Sequence, residues 1–134
     1  MKTKLAIFAL GVGTLVAVPA AFAHHSFAGT YLEDAPPVKV EGTLKEFLLR
    51  NPHSFIQVED DKLKDAKGNP VRWSIEWGAA GQLAQQGVGR ESLKAGDHVI
   101  IMGSPGRNPD EHRLRLRNVQ VGGHAARSKI EGQR

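Results

Sequence analysis

Four residues at three places in this sequence have the chemistry of a transition-metal site. His24 and His25 stand side by side in AFAHHSFAG, His53 follows a proline in RNPHS, and Glu76 lies in VRWSIEW. If a peptidase cut after Ala23, His24 would lead the chain, and its α-amine and ring nitrogen would form a chelate. A terminal amine has an ordinary pKa of about 8, so a metal displaces its proton readily near neutrality. Nitrogen donors in tetragonal geometry suit Cu(II), and the same set accepts zinc or nickel. His53, stiffened by Pro52, is the expected third nitrogen. His25 joins only if the segment kinks, because adjacent side chains of an extended chain point to opposite sides. Glu76 is expected as a fourth ligand, or as the carboxylate that orients a ligating ring. The plainer alternative makes the histidine pair a hydrophilic start, ties His53 to its own turn and leaves Glu76 solvated.

Other candidates are weaker. His98 and Met102 share a strand parity and form a soft pair suited to Cu(I). With Val99 and Ile101 between them, that strand reads better as one buried on both faces. His112 and His124 read as solvated. Arg113, Arg115 and Arg117 alternate with Leu114 and Leu116, placing three cations on one strand face. They are candidates for an anionic envelope polymer, headgroup or acidic partner, or are a solvated face that blocks edge pairing. Trp73 and Trp77 are candidate ligand-surface residues, although tryptophans at strand period more often belong to a core. No cysteine nucleophile, H-E-x-x-H or G-x-S-x-G is present, and no catalytic residue is assigned.

The elements that must position these groups follow a leader. Lys2 and Lys4 precede the apolar run Leu5–Val18, which is shorter than the roughly 20 residues of a spanning helix. Pro19 and then Ala21-Phe22-Ala23 complete the order of a secretory signal, with cleavage expected after Ala23. The expected location is the periplasm or the exterior. Removing residues 1–23 takes away two lysines and no acid, halving the formal charge of +4. Nucleic acid is therefore not an expected partner, and no transmembrane segment is expected in the mature protein. Residues 24–134 amount to one domain able to bury a core without disulfides.

Residues 24–37 read as an extended arm. Alternation begins at Val38, with Val40, Gly42 and Leu44 on one face, and breaks at Phe47-Leu48-Leu49, where a bulge is expected to bend the strand and Gly42 to ease the bend. Further strands are expected at SFIQVE, VRWSIEW, His98–Gly103 and LRLRNVQV. DDKLKDAKGNP is expected to be a polar hairpin loop, GAAGQLAQQG a two-turn helix and SPGRNPDEH a long loop. The fold class is mainly β. The order β-β-β-α-β-β, with a long bent first strand, predicts a small five-stranded OB-like barrel over residues 38–121. Residues 122–134 are expected to be disordered.

HHSFAGTY, EGTLKEF, NPHSFIQVE, VRWSIEW and LKAGDHVIIMGSPGRNPDEHRLRL occur in an order that resembles a family of small exported bacterial proteins, the domain of unknown function 6152. The resemblance runs from His24 to about Val121, and its most specific parts are HHSF, NPHS, W-x-x-E and L-K-x-G-D. It implies an exported OB-like β domain and supplies no reaction. VGRESL departs from the family by replacing an expected aromatic-containing segment before LKAGD.

These readings converge on an exported, non-catalytic binding module whose partner is an envelope protein or a small ligand. The alternative is a periplasmic copper-binding protein using His24 and His53, and a redox enzyme built on that metal is a third possibility.

Overall fold

The computed structural model describes residues 27–122 and the short segment Ile130–Glu131. Strands β1 (Val38–Leu48), β2 (Phe55–Lys64), β3 (Pro70–Glu76), β4 (His98–Pro105) and β5 (Arg113–Gly122) follow in chain order, with helix α1 (Ala80–Gln85) between β3 and β4. β1 pairs with both β2 and β4, β2 pairs with β3, and β4 pairs with β5, all antiparallel. β3 and β5 then meet in parallel and close the sheet. The result is a closed five-stranded barrel of OB-like topology, and closure removes the exposed edges that invite aggregation.

β1 serves two partners because it bends. Its first half lies against β4 and its second half against β2, and Gly42 pairs with Val99 on one side and Asp60 on the other. A Cβ at Gly42 would sit 1.9 Å from the Glu59 carbonyl oxygen, so only glycine permits the approach. The register shift falls between Leu44 and Glu46, earlier than the expected bulge at Phe47–Leu49. Lys45 is the unpaired residue there, and the second half of β1 turns with it.

Alternation decides the inside. Val40, Leu44, Ile56, Val58, Ile75, Val99, Ile101, Leu114, Leu116 and Val119 fill the barrel. Trp77 belongs to this cluster and Trp73 packs against it half-buried, donating from Nε1 to Asp60 Oδ2 at 2.9 Å. The helix contributes Leu83, and Val88 and Leu93 follow from the next loop. α1 stops where Gly87 turns left-handed, at φ 79°. Gly87 N–H then bonds the Ala84 carbonyl and Val88 N–H the Leu83 carbonyl, which satisfies the last carbonyls and brings Val88 under Leu83.

Two expectations about length change. β2 continues to Lys64 through part of the segment expected as a hairpin loop: its register with β3 shifts between Glu59 and Lys64, Lys64 pairs again with Pro70, and the turn shrinks to residues 65–69. SPGRNPDEH contains the end of β4 and a 3-10 turn, Pro109–Glu111, whose start Asn108 caps by accepting from Asp110 N–H. In the tail, Ile130–Glu131 pairs with Asn118 and Val119 of β5 as a short strand β6. Among the described residues no helix is long and apolar enough to cross a membrane.

Candidate functional site

Glu76 ends β3 on the outer face of the barrel, where its sequence parity predicts solvent, yet it is only 6% exposed. What covers it from the arm is Tyr31. Residues 27–30 form a helical turn, with Tyr31 N–H bonded to the Phe27 carbonyl at 2.7 Å. Tyr31 bridges Gly106, and Leu32 N–H bonds the Pro105 carbonyl at 2.8 Å. These backbone bonds lay the Tyr31 ring over the end of β3, where it is 1% exposed and donates its hydroxyl to Glu76 Oε2.

The other carboxylate oxygen belongs to His53. Its Nδ1 lies 2.5 Å from Glu76 Oε1, and Arg113 Nη2 lies 3.6 Å from Oε2. The turn that carries His53 is built as its side chains suggest. Ser54 Oγ both accepts from Arg50 N–H and donates to the Arg50 carbonyl, and the Asn51–Pro52 peptide is cis. Ser54 then exchanges backbone bonds with Trp77 and Gly78, and Phe55 pairs with Glu76. That register delivers His53 to the glutamate. With a carboxylate accepting at Nδ1, the neutral ring carries its proton there, and Nε2 keeps its lone pair. Nε2 has no partner among the described residues, and the side chain is one-third exposed.

Phe27 stacks on the His53 ring, with centroids 4.9 Å apart, and the Arg115 guanidinium sits 4.0 Å from the Phe27 centroid. Arg115 pairs with the Glu33 carboxylate, and Arg117 bonds the Glu33 carbonyl and, at 2.8 Å, Ser104 Oγ. Arg107 forks onto the Ala28 carbonyl at 2.9 and 2.8 Å. The three alternating arginines of β5 thus face the outer surface, but they are engaged by residues 27–33 and Glu76 rather than left to solvent. Burial, reinforced by the bond to Glu76 and its negative charge, pushes the Tyr31 phenol far above the ordinary tyrosine value. Tyr31 is therefore a fixed donor.

The site joins two of the expected ligating residues, His53 and Glu76, and adds Tyr31 and Phe27, to which the sequence alone assigns no role. The only hint of them in sequence is the four-residue spacing in FAGTY, which suits one face of a helical turn. His24 and His25 lie outside the described residues. Among those described, no group of three or more histidine, cysteine or acidic residues is arranged to hold a metal ion. His98 is elsewhere and is a surface residue, 42% exposed at its side chain, with Nε2 2.9 Å from Asp61 Oδ2 and 3.8 Å from Glu41 Oε1. From His98 to Met102 its strand is buried on the Val99 and Ile101 face and half-buried on the other, so the expectation of burial on both faces does not hold there. His112, expected to be solvated, stands edge-on to Trp73 with centroids 5.1 Å apart.

No curated protein and no solved structure shows significant similarity to this chain. Residues 13–115 match the profile described as a family of unknown function (DUF6152), which takes in the arm, the His53 turn, Glu76 and the first part of β5. On that match, covering well over half its length, the chain belongs to the family of unknown function DUF6152.

Proposed function

We propose that the chain is an exported, non-catalytic binding module whose ligand is Cu(II), held by the α-amine and ring of His24 and by Nε2 of His53. The observation that carries this reading is the 2.5 Å contact between Glu76 Oε1 and His53 Nδ1. A ligating imidazole is usually oriented in this way, with a carboxylate on the nitrogen that does not bind the metal. Glu76 is thus the orienting carboxylate, and His25 is a further candidate nitrogen donor.

Reach supports the same reading. Phe27 rests on the His53 ring, and only two residues, His25 and Ser26, separate it from His24. At about 3.5 Å per extended residue, the backbone of His24 lies within roughly 11 Å of that of Phe27. The amine is available only if cleavage follows Ala23, so export and metal binding stand together in this proposal.

The test is a Cu(II) titration of protein taken from the export pathway, after its mass shows that it starts at His24. Tight binding is expected in the parent. Large losses are expected when one alanine precedes His24 and in His53→Ala, and a loss of about 10- to 100-fold in Glu76→Gln. Equal, weak binding in the parent, the extended form and His53→Ala removes copper as the ligand.

A further inference from the structure

We infer that residues 27–33 form a strap whose seating on the barrel is thermodynamically linked to ligation of His53, with Tyr31 as the positioning residue. The inference rests on the copper reading for the identity of the ligand.

The strap crosses the place where the barrel closes with the shortest pairing. β3 and β5 share three residue pairs there, Ser74 with Arg113, Ile75 with Leu114 and Glu76 with Arg115. Three of these six residues also hold the strap: Glu76 and Arg115 through Tyr31 and Glu33, and Arg113 with its guanidinium 5.8 Å from the Tyr31 ring centroid. Backbone bonds add to the grip: Leu32 N–H to the Pro105 carbonyl at 2.8 Å, and Arg107 N–H to the Thr30 carbonyl at 2.9 Å.

His53 touches the strap in two ways, directly through the stacked Phe27 ring and indirectly through the carboxylate that Tyr31 also uses. A cation on Nε2 polarises the ring and makes Nδ1–H a stronger donor to Glu76. That holds Glu76 where Tyr31 meets it and holds the ring where Phe27 lies. The converse follows by necessity: whatever factor copper contributes to strap seating, a seated strap contributes to copper affinity.

The experiment uses the exported full chain as parent, Tyr31→Phe, Glu33→Gln and His53→Ala, each checked by thermal unfolding to be folded. Hydrogen exchange is followed at the Leu32 and Arg107 amides with and without Cu(II), alongside Cu(II) affinity and the paramagnetic resonance spectrum. Copper is expected to slow both amides in the parent. Tyr31→Phe and Glu33→Gln are expected to bind Cu(II) about tenfold more weakly with an unchanged spectrum, because no ligand is altered. His53→Ala changes the spectrum itself. Parent-like affinity in both strap variants, or amide exchange indifferent to copper, overturns the linkage and leaves the copper reading standing. Failure of the parent to bind Cu(II) overturns the copper reading instead. The strap's tie to His53 is then decided by metal-free exchange, which is faster in His53→Ala if the tie exists and unchanged if it does not.

Discussion

Replacing Tyr31 by phenylalanine removes one oxygen from the molecule and leaves the ring in place, so the transfer and cavity terms of a truncation do not enter. What is lost is a buried donor to a carboxylate. A hydrogen bond to a charged group contributes about 1.5–3 kcal/mol. Glu76 keeps His53 Nδ1 at 2.5 Å and Arg113 at 3.6 Å, so its charge is not stranded and the lower half of that range applies. A loss near 2 kcal/mol follows, which in a domain of this size lowers Tm by roughly 8–16 °C. Urea unfolding at neutral pH, read by tryptophan fluorescence, is expected to show the midpoint falling at constant slope.

The same bond has an alkaline signature. The phenol's folded pKa lies above its unfolded value, burial being the larger cause and Glu76 the next. Its contribution is therefore complete below about pH 10 and is lost as pH rises from there toward the folded value. The gap between parent and Tyr31→Phe should narrow over that window. Tyr31 is the only tyrosine in the chain, so phenolate absorbance reports this one residue and should appear only as the protein unfolds. Phenolate forming near pH 10 in protein that remains folded, or a Tyr31→Phe midpoint equal to the parent's, would refute the reasoning.

Gly42→Ala should cost at least the 1–3 kcal/mol typical of overpacking, because the new Cβ meets the Glu59 carbonyl rather than a flexible side chain; calorimetry with an unchanged Tm would contradict it. Asp60 titrates the opposite way to Tyr31. Burial opposes its ionisation, but N–H donors from Leu63, Lys62 and Trp73 outweigh burial and hold its carboxyl below the ordinary value. Its contribution is present above about pH 4 and disappears as pH falls through the lower folded value. Asp60→Asn should therefore be less stable than the parent at pH 7 and converge with it in strong acid, as urea midpoints across that range would show.

Much of the barrel is local information. The pleat sends successive side chains to opposite faces, so Val71, Trp73 and Ile75 on one parity already mark an inner face, and Leu114 and Leu116 mark another. Breaks in that alternation, with Pro52 and the glycines around GAAGQLAQQG, divide the strands and place the helix in the right order. Local rules failed on extent: β2 runs on to Lys64, where pairing with Pro70 resumes after a register shift, because a strand's end is set by its backbone partners and not by apolar side chains.

The candidate site divides along the same line. His53 in a turn tied by Ser54 is a neighbourhood effect, legible in five residues. That Glu76 is buried was not legible, since its parity points outward and the residue that covers it, Tyr31, lies 45 positions away. The arginines at 113, 115 and 117 were visible as a cationic row, but their partners were not. Residue type and spacing disclose what a side chain offers and which face it takes, because those are properties of the nearby backbone. Which outward-facing charges meet depends on the register of every intervening strand and on where the arm comes to rest, and only the closed barrel brings those together.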